Sequence, residues 1–461
     1  MTRTTLTVLA LVLLAAILRA LYLGDKSVWL DEATSILLAQ SDPLTAARSD
    51  IHALLYYRVL RIWLLLGDSE IAIRSLSVLW SVATVAVVFT IGRRLYGITE
   101  GAIAGVLLAV NAFHIAYAQE ARSYSQAVFF VTLASLLFAR ALERPSPGRW
   151  AGYAVALLAA VFSHGYAALI VGAHLAALVF LPPGAVPWRS VMGSVGAVAL
   201  LAVPSLAVAA TFGSRGAAWI PPTGARDVYE TLRSLAGFAD LPLLLAYLLA
   251  VSLGLVAAGR TWAVAQASPV SFRYGLPAAW FAVPLIAAYT ASSFVPVLPR
   301  YLMLVVPAMV LVAAPGLARI RPVALMALAI TLITGLALGR VWTYYCCMGK
   351  EEWRDAAAAV LSRARDGDAI VFYSPYIQPA FDYYRTRWAR AAPAPALEPV
   401  LEPAHLPPSN ARTWLVVSHD ETVEHTGSRR LRDALVARYG SFDEWRFNGV
   451  TVFLFPGGRR P

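Results

Sequence analysis

The stretch SVWLDEATS, Ser27 to Ser35, sets two carboxylates, Asp31 and Glu32, directly after an apolar run, LTVLALVLLAAILRALYLG. Successive side chains on a helix point about 100° apart, so on a helix the two acids cannot face the same way. One can look into a cavity while the other caps the helix or binds a neighbour. A carboxylate held beside apolar groups gains proton affinity, which suits a general base, and Trp29 and Leu30 flank this pair. The competing reading is capping by Asp31 ahead of EATSILLAQ.

A charge near the centre of a bilayer costs about 2.5–3.5 kcal/mol on insertion scales, so polar residues kept in an apolar chain pair, snorkel or do chemistry. The chain keeps Asp50 and His52 in SDIHALLYY, Gln119, Glu120 and Arg122 in AYAQEARSYSQ, His164 in FSHGY, and Arg300 with Tyr301 in LPRYLM. Arg122 offers a forked, permanent charge for a phosphate. It can equally neutralise Glu120 or Asp31, and the two roles are compatible. Arg300 either snorkels to lipid phosphates or holds one specific lipid phosphate. Asp31, Glu32, Asp50, His52 and His164 have the chemistry of a histidine–carboxylate metal site, but no HExxH or comparable spacing accompanies them. No cofactor is required by any motif; a divalent metal ion stays open, and each histidine is read first as a hydrogen-bonded structural residue. Arg19, Lys26, Arg58, Arg61 and Arg74 read as interface anchors.

The elements that must position these residues are mostly membrane spans. The 461 residues are 59% hydrophobic and 14% charged, against about 25% charged in soluble domains. The fold class expected is a polytopic α-helical membrane protein. About eleven apolar runs are long enough to cross: 5–23, 71–92, 98–117, 124–142, 149–163, 165–182, 190–212, 241–259, 275–293, 299–316 and 321–341. The net charge of +11 falls mainly in short loops, which fits the positive-inside rule and phosphate sites rather than nucleic acid. With GRRLYG, RALERPSPGR and ARIRP inside, the N-terminus is cytoplasmic. The acids, histidines and Arg300 then gather on the outer face, as do loop 24–70 and segment 213–240. In that first outer loop DEATSILLAQ and ALLYYRVLRIWLLLG read as two helices lying along the interface. Cys346 and Cys347 read as two small residues at a membrane boundary.

Residues 1–341 form the expected transmembrane domain, and 342–461 a small extracytoplasmic α/β domain. In the tail KEEWRDAAAAVLSRARDGD, FDYYRTRW and SRRLRDALVARYG predict helices, while AIVFYS, TWLVVSHD and VTVFLFP predict strands. The Pro-rich AAPAPALEPVLEPAHLPPS reads as a loop.

The order WLDEA, DIHALLYY, QEARSYS, PRYLM resembles the polyprenyl-phosphate-sugar-dependent glycosyltransferases of GT-C fold, such as the protein O-mannosyltransferases and aminoarabinose transferases. The resemblance covers roughly 5–341 in topology and extends loosely to the tail. It implies an integral enzyme of the cell membrane that takes a sugar from a polyprenyl-phosphate donor. The acceptor, a lipid, glycan or protein, enters from the extracytoplasmic side, and membrane lipids surround the enzyme. Asp31 is then the base or acceptor-aligning residue for an inverting attack, supported by Glu32, with Glu120 in the catalytic set. Arg122 and Arg300 would hold the lipid phosphate, and Asp50, His52, Tyr57, Gln119, His164 and Tyr301 complete the expected substrate-binding set. One departure stands out: relatives usually carry HPPLYY where this chain has His52-Ala53-Leu54-Leu55-Tyr56-Tyr57. The role of His52 is open for that reason.

Three other functions compete. A transporter or flippase of lipid-linked sugars would need ionisable residues near the midplane and commonly a repeat; the acids here lie at span ends. A glycan ligase or polymerase would share the donor chemistry. A non-catalytic scaffold would not depend on Asp31.

Overall fold

The computed structural model describes residues 2–212, 223–373, 375–388, 396–399, 412–418 and 425–456. The chain divides into two compact units, one of residues Met1–Leu23 and Leu38–Cys347, the other of Gly24–Leu37 and Met348–Pro461.

In chain order come α1 (Arg3–Ala20), α2 (Leu30–Gln40), α3 (Pro43–Asp50), α4 (Leu54–Trp63), α5 (Glu70–Leu95), α6 (Ile98–Ala109), α7 (Ala112–Ala118) and α8 (Tyr124–Glu143). Beyond them lie α9 (Pro147–Ser163), α10 (Leu169–Ala177), α11 (Trp188–Phe212), α12 (Ala225–Leu235), α13 (Leu241–Ala265), α14 (Pro269–Thr290), α15 (Val306–Leu317) and α16 (Val323–Cys347). Hydroxyl and carboxylate caps start many of them: Ser69 accepts from Ala72 N, Ser146 from Arg149 N and Ser268 from Ser271 N. Such groups satisfy amide donors that a helix N-terminus leaves without partners.

The protein is a polytopic α-helical membrane protein. Among the described residues seven helices are long and apolar enough to cross a membrane, and eight if the bent pair α6–α7 counts as one span. Two of the eleven runs expected from sequence fall short of the roughly 20 residues a crossing takes, α9 with 17 residues and the apolar stretch Gly165–Phe180, while the run expected over 190–212 is the 25-residue α11. The span expected over 98–117 is broken, with α6 and α7 meeting at 61°. Glycine lets two spans approach closely: a Cβ at Gly254 of α13 would collide with the Val312 carbonyl of α15, and one at Gly316 with the backbone of Gly254.

Residues 24–70 hold three helices where two were expected. Asp42 accepts from Leu44 N and Thr45 N and so nucleates α3 between α2 and α4. The arginines taken for interface anchors mostly bind backbone instead. Arg19 is fully buried, and Arg74, also buried, donates to Leu23 O at 2.9 Å. Arg58 donates to Leu38 O and Ser41 O, and Arg61 to Gln40 O and Ser41 O. Segment 213–240 contains α12, while 213–222 lie outside the described residues. Cys346 and Cys347 are joined in an adjacent-residue disulfide rather than standing as two free small residues.

The second unit contains α17 (Trp353–Leu361), α18 (Gln378–Trp388), α19 (His425–Tyr439) and one five-stranded sheet. Its strands are β1 (Ala369–Tyr373), β2 (Ala396–Pro399), β3 (Thr413–Ser418), β4 (Asp443–Phe447) and β5 (Val450–Phe455), ordered β2-β1-β3-β5-β4. β1 runs parallel to β2 and β3, and β5 runs antiparallel to β3 and β4. Every residue of β1 and β3 is buried, as expected of parallel strands covered on both faces. Two strands depart from the sequence reading. β2 lies in the Pro-rich segment read as a loop, most of which is outside the described residues. β4 is an edge strand, three of its five residues exposed, whose apolar residues are only Trp445 and Phe447. The hairpin β4–β5 turns at Asn448-Gly449, with Gly449 at φ +70°.

Candidate functional site

Asp31 and Glu32 lie in the first turn of α2, inside the helix, since Ala33 N already donates to Trp29 O. Asp31 is therefore not the cap. The two acids take different environments, as the 100° step between them requires. Glu32 is fully buried and pairs with Lys350 at 3.7 Å, whose ammonium sits 5.6 Å from the Trp29 ring centroid. Asp31 stays half-buried. The strand of chain before it is held by the same unit. Leu30 N donates to the Glu351 carboxylate at 3.4 Å, Trp353 Nε1 donates to the same oxygen, and Val28 N donates to Tyr384 Oη at 2.7 Å. Lys350 is the partner of Glu32 that sequence reasoning missed. Its only local signal is its place just beyond the last apolar run, and nothing in MGKEEW connects it to Glu32.

The other expected residues belong to the first unit. Asp50 closes α3 and organises the turn after it: its carboxylate accepts from His52 N at 3.1 Å and from Tyr57 Oη at 2.6 Å. Burial, then the Asp50 charge, raise the Tyr57 phenol well above its ordinary value, opposed by Arg122. Tyr57 thus remains the donor to Asp50. A 3-10 turn, Ile51–Ala53, leads into α4, and the helix begins at Leu54. His52 is exposed, and its ring packs on Gly165: a Cβ there would lie 2.7 Å from His52 Nδ1. The two histidine motifs, DIHALLYY and SHGY, therefore meet.

Glu120 and Arg122 do not lie on a helix. Residues 119–123 form a tight turn between α7 and α8, closed by Arg122 N donating to Glu120 O at 2.8 Å. Ser77 Oγ donates to Arg122 O and fixes that turn to α5. Glu120 is buried, whereas Arg122 is half-buried with its guanidinium 5.7 Å from the Tyr124 ring centroid. Gln119 serves α1: its amide donates to Arg19 O at 3.0 Å and Leu21 O at 2.6 Å. Arg300 and Tyr301 open the 3-10 stretch Pro299–Val305, and Arg300 hydrogen-bonds Tyr117.

His164 is where these pieces converge. Its ring lies 5.4 Å from Tyr124 and 5.2 Å from Tyr301, and Nδ1 accepts from Tyr166 N. Desolvation, then the charges of His52, Arg122 and Arg300, push the imidazole down to about 3. Arg122 and Arg300 thus act on a neutral His164, while the Glu120 charge acts on the same Tyr117 that Arg300 bonds. Among the described residues no group of three or more His, Cys, Asp or Glu side chains is arranged to hold a metal ion.

The matched family is described as dolichyl-phosphate-mannose-protein mannosyltransferase, and its profile covers residues 52–208, about a third of the chain. No curated protein matches the sequence. Among solved structures, ArnT from Cupriavidus metallidurans in the apo state is 14% identical with a TM-score of 0.66, over 100% of both chains. The fold is GT-C. The same ArnT bound to undecaprenyl phosphate matches this GT-C chain with a TM-score of 0.64 at 13% identity, again over 100% of both chains. The Archaeoglobus fulgidus oligosaccharyltransferase AglB, in complex with an inhibitory peptide and a dolichol-phosphate, has a TM-score of 0.55 at 11% identity. That match covers 97% of this GT-C chain and 74% of the other.

Proposed function

We propose that the protein is a membrane glycosyltransferase that moves a sugar from a polyprenyl-phosphate donor to an acceptor on the extracytoplasmic side, with inversion. The observation that supports this reading is the gathering of His164 with Tyr124 and Tyr301, each ring carrying a guanidinium, Arg122 on the first and Arg300 on the second, in a GT-C fold. Relatives of that fold include structures bound to undecaprenyl phosphate and to a dolichol-phosphate. The acceptor hydroxyl attacks the anomeric carbon and gives its proton to Asp31. The bond from that carbon to the phosphate oxygen breaks, and the polyprenyl phosphate leaves with the electron pair. Arg122 and Arg300 stabilise the charge that grows on it. The Lys350–Glu32 pair holds the helix turn that presents Asp31. Tyr57, Gln119 and Tyr301 act around the substrate by position, and no step is routed through a metal ion.

The topology that goes with this reading has eleven crossings: the eight spans above with α9, Gly165–Phe180 and α11 added. The N-terminus is then cytoplasmic and the second unit extracytoplasmic. A glycan ligase with a similar donor is the second reading, favoured by the likeness to the oligosaccharyltransferase.

The test is release of free polyprenyl phosphate from polyprenyl-phosphate-sugars by purified protein in nanodiscs, with and without membrane extract as acceptor source. Extract-dependent release should fall about 100-fold or more in Asp31→Asn, the usual scale of a lost general base. Arg122→Ala should weaken donor binding while leaving the thermal midpoint unchanged. Equal release by wild type and a folded Asp31→Asn would remove Asp31 from the mechanism, and the size of the transferred group separates transferase from ligase.

A further inference from the structure

α16 is mostly uncovered by the rest of its unit, with only Ile333, Ala337, Val341 and Tyr344 buried. Along it runs a cavity of about 500 Å³, lined by Leu332, Gly335, Leu336, Gly339 and Arg340 of α16 and by Asp240 at the start of α13. A Cβ added at Gly335 or Gly339 would meet nothing within 4 Å, so the two glycines open a groove and seat no neighbouring helix. Arg340 lies in the last third of a 25-residue helix long enough to cross a bilayer. Its Nε is buried with no hydrogen-bond partner, and no ion pair joins it to Asp240 among the described residues. Asp240 uses Oδ1 to cap α13, accepting from Leu243 N at 3.3 Å, and remains exposed. An apolar groove thus ends in one cation and one anion that do not neutralise each other. Arginine on a membrane span is normally paired or snorkelled, because its desolvation is costly.

We propose that this groove binds a single bilayer phospholipid whose headgroup carries a phosphate and a primary ammonium. The phosphate sits on Arg340, the ammonium donates to Asp240, and one acyl chain follows Gly335 and Gly339. Charge complementarity selects this occupant. A purely anionic headgroup would meet repulsion from Asp240, and a quaternary ammonium has no N–H to donate to the carboxylate. The site includes neither Arg122 nor Arg300 and does not depend on the transferase reading.

The test is native mass spectrometry of the full-length protein released from nanodiscs of equimolar phosphatidylethanolamine, phosphatidylglycerol and phosphatidylcholine. One phosphatidylethanolamine per protein should be retained, about tenfold over either other lipid, a preference equivalent to about 1.4 kcal/mol. Arg340→Gln should lower that retention several-fold. Asp240→Asn keeps a capping side chain and should erase the preference over phosphatidylglycerol. Gly339→Leu fills the groove without touching a charge and should abolish retention, which guards against a folding effect of the charge variants. Equal retention of all three lipids, retention indifferent to Arg340→Gln and Gly339→Leu, or a dimer with no bound lipid would each overturn the proposal.

Discussion

Titratable residues in this protein include some that end helices, some that pair while buried and some that are held neutral. Glu32 and Lys350 are of the second kind, with side chains 0% and 10% exposed. Removing one partner weakens the compensation of a buried charge, and breaking a buried pair costs up to about 3–5 kcal/mol. Lys350→Met should therefore lower the thermal midpoint markedly, and the double variant Glu32→Gln/Lys350→Met should recover much of the loss. Additive losses in a double-mutant cycle would show the pair to be uncoupled. His164 is of the third kind. Its folded-state value, about 3, lies below the ordinary 6.5. Between those values the unfolded chain binds a proton that the folded protein does not, so stability is lost as pH falls from 6.5 toward 3. Thermal midpoints measured across that range should fall more steeply for wild type than for His164→Asn. Parallel profiles would place the histidine in contact with water.

At the scale of elements, the break between α6 and α7 is the feature that most shapes the first unit. A helix end leaves carbonyls without partners, and inside a membrane protein they must be satisfied by side chains. Arg19 does this, donating to Leu108 O at 3.3 Å and Ala109 O at 3.0 Å, with Nε to Ser81 Oγ at 2.6 Å. Asn111 then restarts the chain by accepting from His114 N, and its amide reaches Leu235 O at 2.9 Å. Arg19→Met keeps an apolar stem but takes the donor from Ala109 O, at about 1–3 kcal/mol, while Leu108 O keeps Asn111 N and Ser81 Oγ keeps His114. A thermal midpoint lowered by several degrees is expected. An unchanged midpoint would mean the break holds without the arginine. From sequence this arginine looked like an anchor because its partners are distant in the chain and peptide carbonyls carry no signature of their own.

At the scale of the whole molecule, residues 24–37 belong with the C-terminal segment. Arg354 donates to Gly24 O at 2.7 Å and to Asp25 O at 3.2 Å, Arg354 N donates to Ser27 Oγ, and Val28 is fully buried. A fragment of 348–461 expressed alone should unfold at lower temperature than the same fragment with a synthetic 24–37 peptide. No response to the peptide, monitored by circular dichroism, would show that the tail needs nothing from the first loop.

The chain by itself determined its membrane character, the places where polar residues accumulate and most of the α/β tail. Each of those comes from composition or from a local period: apolar runs near 20 residues, and alternating strand and helix patterns after Cys347. Asp31, Glu32, Arg122, His164 and Arg300 were recognisable because charge is rare in so apolar a chain. Tertiary structure decided the rest. It paired Glu32 with Lys350, set His52 against Gly165, turned Gln119 and Asp50 into supports for backbone and for Tyr57, and sent Arg19 to a broken helix. It also made strands of ALEP and DEWRF, which local pattern had passed over. The physical reason is the same throughout. Desolvating a charge or a peptide group demands a partner, and which partner answers depends on chain segments far apart in sequence.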